Sequence, residues 1–412
     1  MLSPFRVLDL TNERGMLAGQ MLADLGADVI QIEPPDSSSA RREPPFAGDQ
    51  EGEDSSLFWW AYARNKRGIS CDLDSAEGQD LLKRLAATAD FLFESDEVGA
   101  MAARGLGYDD LSTINERLIY TSITPWGQDG PKVDYGASDL VLLAASGPLY
   151  LAGTPDRAPV RCVVPQAYHH AAADAAAAAT MAHIERQASG QGQHIDVAAV
   201  QSLPAATQSL ILSHAVGELE GKRASGGMQL GPLEARIIWQ CADGYVSLTY
   251  FFGNAIGPFT ARFMQWMLEE GAVSEEDAGK DWIGFAAALM SGEEPISEFD
   301  RIKGLVAAFL QTKTKTECLA AAQERKLLLV PVTNIEDVAT SPQLAAREYW
   351  REVERPDGHG RARFPGPFVN VSHQPLQYRR RAPKLGEHND EVYSELGIEA
   401  AELEALRTNG VI

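Results

Sequence analysis

Cysteine is scarce in this chain of 412 residues, and Cys71, Cys162, Cys241 and Cys318 stand far apart with no CxxC pair. Such spacing fits reduced thiols and supplies neither a disulfide framework nor a metal-ligand pattern. The eight histidines form no HExxH, so a zinc site has no sequence support. Glycine loops that cradle phosphates are missing as well: neither GxGxxG nor a Walker-type GxxxxGK followed by Ser or Thr occurs, which argues against NAD and ATP chemistry. No run approaches the roughly eighteen apolar residues of a membrane helix. The opening MLSPFRVLDL lacks a basic region ahead of a long apolar core, and the expectation is a cytoplasmic protein with no membrane partner. Basic residues are in deficit: 36 Lys and Arg against 58 Asp and Glu give a formal charge of -22. That field repels polyanions at long range and disfavours nucleic acid as a partner.

What is present begins with a strand-helix-strand opening. Phe5 to Leu10 reads as a short apolar strand, Arg14 to Gly26 as a helix with Leu17, Met21, Leu22 and Leu25 on one stripe, and Asp28 to Glu33 as a second strand. The alternation continues with strands at Gly68 to Leu73, Phe91 to Glu94 and Leu118 to Ile123, and a helix at Ala76 to Ala89, which predicts an α/β protein with a parallel sheet. The Ala-rich, Gly- and Pro-free stretch Ala167 to Gln187 predicts a long buried helix ending near Gly190. A strand at His194 to Val197 and a helix from Val197 to Glu218 follow. After Gly221 the composition shifts: Arg223 to Pro232 reads as a linker and Ile237 to Tyr250 as a hairpin around Ala242-Asp243-Gly244. The expected segmentation is 1–221, 222–326 and 327–412, with an apolar strand at Leu327 to Asn334 opening the last part. Acidity gathers in the middle segment, where Glu269 to Asp300 holds ten carboxylates against Lys280.

Six segments in order then resemble the family III CoA-transferases: Val7-Leu-Asp-Leu-Thr11, Leu22 to Pro34 (LADLGADVIQIEP), Arg64 to Ser70 (RNKRGIS), Leu106 to Leu111 (LGYDDL), Ser189 to Asp196 (SGQGQHID) and Leu385 to Glu391 (LGEHNDE). The resemblance implies a large Rossmann-like domain built from both chain ends, a smaller central α+β domain, and two ring-shaped subunits threaded into an interlocked dimer. It implies acyl-CoA and a small organic acid as substrates, with no tightly bound cofactor. It also implies an aspartate that attacks the acyl-CoA, passing through a mixed anhydride to an aspartyl-CoA thioester. Such a carboxylate must be nucleophilic, shielded from water and close to donors for the oxyanion.

The place of that aspartate falls on Tyr168, counted back from Gly190 or forward from Pro159-Val160-Arg161. A phenol titrates near 10 and cannot take over the carboxylate's reaction at neutral pH. Asp174, six residues on, is rotated by about 240° and displaced by about 9 Å along the helix, which aims it away from the same pocket. His169 and His170 read as interior or interface residues rather than catalytic bases. The racemase branch of the family is disfavoured, because Ser138 and Tyr168 stand where its His and Asp would be. Where the family often carries an arginine near CoA, Glu97 stands instead. The CoA-binding candidates are therefore Arg41, Arg42, Arg64, Lys66 and Arg67, and Trp59, Trp60, Trp126 and Tyr150 are candidates for an aromatic acid pocket. Within the family the chain resembles the aspartate-lacking subunit of the benzylsuccinate CoA-transferases, which implies a paralogous catalytic partner. A self-sufficient homodimer using another carboxylate, and a non-enzymatic acyl-CoA-binding scaffold, are the alternatives.

Overall fold

The structure is a computed structural model that describes residues 1–52, 54–217, 221–230 and 233–412. The chain divides into two units. The larger comprises Met1–Leu149, Arg161–Glu220 and Gln343–Ile412, and the smaller comprises Tyr150–Val160 and Gly221–Pro342.

The larger unit is built on a six-stranded parallel sheet: β1 (Arg6–Asp9), β2 (Asp28–Glu33), β3 (Arg67–Ser70), β4 (Phe91–Glu94), β5 (Ile119–Thr124) and β6 (His194–Ala198). The strand order 3-2-1-4-5-6 reverses between β1 and β4, which opens a crevice at their carboxyl ends. Both faces are covered, so neighbouring strand residues serve opposite cores. Val7, Val29, Phe91 and Ile119 pack towards helices α1 (Met16–Asp24) and α4 (Ala167–Ser189), whereas Leu8, Ile30, Ile69 and Leu92 pack towards α3 (Ala76–Ala86) and the C-terminal helices. The short helix α2 (Leu57–Tyr62) lies between β2 and β3 in sequence, its first turn capped by Ser56, whose Oγ accepts from Trp59 N. The chain end returns to this sheet. His388 N donates to Gly68 O at 2.9 Å, Ser70 N donates to Asn389 Oδ1 at 2.9 Å, and Tyr393 Oη donates to Ser70 O at 2.8 Å.

The Ala-rich prediction corresponds to α4, which stops at Gly190 in the left-handed region (φ 79°), a conformation glycine adopts without strain. Ala171, Ala172, Ala175, Ala176 and Ala179 form its buried stripe against α1, while Met181 and Ile184 on the opposite side are exposed. The helix expected from Val197 to Glu218 is instead broken. Val197 belongs to β6, and after a short helix at Ala199–Ser202 the chain tightens to a 3-10 turn at Leu203–Thr207 before resuming at Gln208–Val216. Pro204 lies in that turn and lacks the N–H a continuous helix needs. Glu218 lies outside the described residues.

In the smaller unit, part of the expected linker is ordered as β7 (Met228–Leu230), antiparallel to β8 (Leu233–Ala235); Gly231 and Pro232 lie outside the described residues. The predicted hairpin is β9 (Ile238–Cys241) and β10 (Gly244–Leu248). A correction concerns the boundary at 326/327: β11 (Leu329–Val332) pairs antiparallel with β10, Leu248 against Leu329, so the apolar strand completes the small sheet. The helices at Gly253–Glu269, Ile296–Gln311 and Lys315–Arg325 close this unit over a core of Trp239, Val246, Phe263, Trp282 and Ile302.

Candidate active site

Beneath the β1–α1 turn lies a buried polar knot. The Asp9 carboxylate accepts from Thr11 N and Thr11 Oγ1 at 3.0 and 2.6 Å, and from Lys66 Nζ at 2.7 Å. Lys66, fully buried, also donates to Gln31 Oε1 at 2.9 Å and Met16 O at 3.0 Å. Burial pulls the Lys66 pKa down, and the Asp9 carboxylate opposes that shift. Gly19 is required beside the knot, since a Cβ there would lie 1.9 Å from Asp9 Oδ2.

Above the knot the turn crosses the β1/β4 crevice. Asn12 N donates to Ser95 Oγ, whose hydroxyl donates back to Asn12 Oδ1, both at 3.1 Å. Arg14 N donates to the same Asn12 Oδ1, and Arg14 Nη1 donates to Glu97 Oε1 at 3.0 Å. Burial lowers the Arg14 pKa, but the Glu97 hydrogen bond and the nearby anionic groups outweigh it, and the net shift is upward.

Tyr168, in the first turn of α4, is buried at the wall of this turn. Its hydroxyl donates to Ala137 O at 3.1 Å, and the Arg14 guanidinium carbon lies 6.0 Å from its ring centroid. Burial raises the Tyr168 pKa, with Arg14 opposing, so the phenol is neutral near pH 7. His169 Nε2 and Tyr62 Oη share a hydrogen bond of 2.8 Å, and the Phe58 ring packs tilted against Tyr62 with centroids 4.6 Å apart. Burial lowers the His169 pKa and raises that of Tyr62. These side chains, with Glu13 and Arg14, line one narrow cleft. At the start of α4, Asp139 Oδ1 accepts from Gln166 N and Ala167 N at 2.6 and 2.8 Å, so it occupies donors that a helix start otherwise offers to an oxyanion.

Asp174 is exposed and does not line this cleft, as helical geometry predicts. Four of the five cations expected to hold CoA are engaged inside the fold. Arg41 binds Glu33 bidentately at 2.7 and 2.8 Å, with its guanidinium 3.9 Å from the Trp59 ring centroid. Arg64 pairs with Asp24 at 2.9 Å, Lys66 with Asp9, and Arg67 with Asp28, Glu391 and Glu395. Every side-chain nitrogen of Arg41, Lys66 and Arg67 has a partner, and Arg64, whose Nε has none, is buried against Asp24, so these four are corrected to structural roles. Arg42 differs: it is exposed, with Nη1 donating to Ser37 Oγ at 3.3 Å. Trp59 and Trp60 are core residues rather than pocket walls. Sequence reasoning missed Arg14, Glu13, Tyr62 and Asp139. The available signal was position, since Arg14 sits in the first turn after β1, beside the crevice of the reversed strand order.

Among the described residues no helix is long and apolar enough to cross a membrane, and no cluster of three or more His, Cys, Asp or Glu could hold a metal ion. The chain matches the family described as CoA-transferase family III over residues 2–389. It is 35% identical to the succinyl-CoA:(R)-benzylsuccinate CoA-transferase subunit BbsE of Thauera aromatica, over 100% of this chain and 98% of that protein. It is 32% identical to the succinate–glutarate CoA-transferase of Agrobacterium fabrum, over 96% and 95% of the two chains. Among solved structures it resembles a CaiB/BaiF family protein from Brucella suis, with a TM-score of 0.81 and 28% identity over 95% of this chain and 98% of that one. The match over residues 2–389, the relatives and the parallel α/β architecture agree: the chain belongs to CoA-transferase family III.

Proposed function

We propose that this chain is the aspartate-lacking subunit of a two-chain cytoplasmic CoA-transferase, interlocked with a paralogous catalytic chain, that moves CoA from succinyl-CoA to an organic acid. The observation that carries the reading is Tyr168: the residue at the nucleophile position is a neutral, buried phenol hydrogen-bonded to Ala137 O. Forming the anhydride requires a carboxylate oxygen to attack the thioester carbonyl and expel CoA thiolate. A protonated phenol engaged with a backbone carbonyl supplies no such oxygen. Support for the donor and for the two-chain state comes from the two relatives above, both of which carry succinyl-CoA or succinate in their names and one of which is named a subunit. Acyl-CoA then enters as a substrate, with exposed Arg42 the member of the expected cationic set best placed to meet its phosphates.

The test is a hydroxylamine trap. The purified chain incubated with succinyl-CoA should form no hydroxylamine-sensitive adduct, and adding an aspartate-bearing paralogue should restore both adduct and turnover. An adduct on the isolated chain would falsify the reading. A second reading keeps the chain self-sufficient and rests on Glu13, a carboxylate in the cleft beside Arg14. It predicts an adduct on the chain alone that Glu13→Gln abolishes.

A further inference from the structure

We propose that Arg14 is a binding residue for the carboxylate of the organic acid, and that Glu97 is a tethered competitor that holds Arg14 until that carboxylate displaces it. The inference rests on the reading of Tyr168 as a residue that does not attack, since it assigns the cleft recognition without chemistry. A cation, Arg14, and a neutral phenol, Tyr168, line this cleft together with the Glu13 carboxylate.

Three observations converge on Arg14. Its carboxylate partner is exposed: the side chains of Arg14 and Glu97 are 25% and 71% accessible, whereas those of Lys66 and Asp9 are both at 0%. An exposed pair of this kind is weak and exchangeable, while a buried one is not. On its inner side the Arg14 guanidinium carbon lies 6.0 Å from the Tyr168 ring centroid, which leaves the outer side of the guanidinium for a docking carboxylate. The planar guanidinium also matches a carboxylate in a two-pronged arrangement.

Geometry explains how Glu97 is kept within reach. The Asn12–Ser95 bridge ties the turn carrying Arg14 to the end of β4, and Glu97 follows Ser95 by two residues. Arg14 is anchored to the same bridge through its backbone N–H. Both arms of the pair therefore spring from one hydrogen-bonded hinge across the crevice. The cleft behind Arg14 has no void that admits a water molecule, so an acid meets the guanidinium from the solvent side, where Glu97 sits.

Calorimetric titration of the full chain with succinate tests this. Wild type should bind, Glu97→Gln should bind about fivefold more tightly because the internal competitor is gone, and Arg14→Met should lose binding while melting normally. Glu402→Gln, which changes net charge equally at an exposed position of the C-terminal helix, should match wild type, and neutral succinamide should not respond to Glu97→Gln. The proposal is overturned if Arg14→Met binds as wild type does, if Glu97→Gln is no tighter than Glu402→Gln, or if neither wild type nor Glu97→Gln binds succinate. The hydroxylamine trap fails or succeeds separately: an adduct removes the subunit reading, and Arg14-independent binding removes only this one.

Discussion

Two kinds of cation share the larger unit. Lys66 is wholly inside, held by Asp9, Gln31 and a backbone carbonyl, and Arg14 stands at the rim with one exposed carboxylate for a partner. Arg14 lies in the β1–α1 turn and Lys66, just ahead of β3, reaches Asp9 and Met16 at the two ends of that turn, yet burial assigns them opposite work. Inside the sheet, desolvation makes a charge tolerable only when every donor is matched, so the pair is fixed and its value is structural. At the rim the same pairing costs little to open, and the guanidinium stays available to a ligand. Depth, rather than clustering along the chain, separates a cation that builds the fold from one that reads a substrate.

The largest expected effect probes the inner half of that contrast. Lys66→Met leaves the Asp9 carboxylate buried without its cation and should destabilise the chain by about 3–5 kcal/mol in chemical denaturation. A loss below about 1 kcal/mol would equate the buried pair with an exposed one and break the comparison. Glu94 sharpens it from another side. This buried carboxyl accepts from Asp96 N at 2.8 Å, and burial, partly offset by the Ser122 hydroxyl and that N–H, pushes its pKa up to about 7. The folded value exceeds the unfolded one, so the unfolded chain releases this proton first as pH rises. Stability is therefore full below the unfolded pKa and falls as pH rises towards 7, by about 3 kcal/mol. Denaturation of wild type and Glu94→Gln across pH 4.5 to 7 should show that slope in wild type and its absence in the variant.

The parallel sheet was legible because its strands are short apolar runs separated by helical stripes, and β2 and β4 match their predicted limits. Sheet membership was not: the run at Leu327 to Asn334 reads as a strand anywhere, and only its pairing with β10 assigns it to the small unit. The cations failed for a related reason. Arg64 to Arg67 looks like a basic patch along the chain, but Asp9, Asp24 and Asp28 arrive from 39 or more residues away to neutralise it, a meeting that no local pattern encodes. Tyr168 lies in the first turn of α4, where the count back from the glycine turn at Gly190 puts it. Arg14 was overlooked because its turn was read for missing glycines rather than for charge.

Smaller effects bear on the cleft wall. Tyr168→Phe removes the hydroxyl that donates to Ala137 O and should cost about 1 kcal/mol in denaturation. It should leave acyl-transfer turnover of a reconstituted two-chain enzyme unchanged, because the phenol takes no part in attack. A turnover loss of tenfold or more would return Tyr168 to the chemistry and erase the distinction between wall and nucleophile.

The smallest expected effect belongs to Arg14→Met. Met preserves much of the apolar stem while deleting the guanidinium, so packing against the Tyr168 ring is largely kept and the exposed pair with Glu97 is lost. An exposed pair contributes about 0–1 kcal/mol, and the accompanying change in stability should fall in that range by the same denaturation measurement that registers Lys66→Met. A loss approaching that of Lys66→Met would mean that Arg14 is built into the fold after all. The contrast between rim and interior would then collapse, because a cation that stabilises the native state so strongly is not free to exchange Glu97 for a substrate carboxylate.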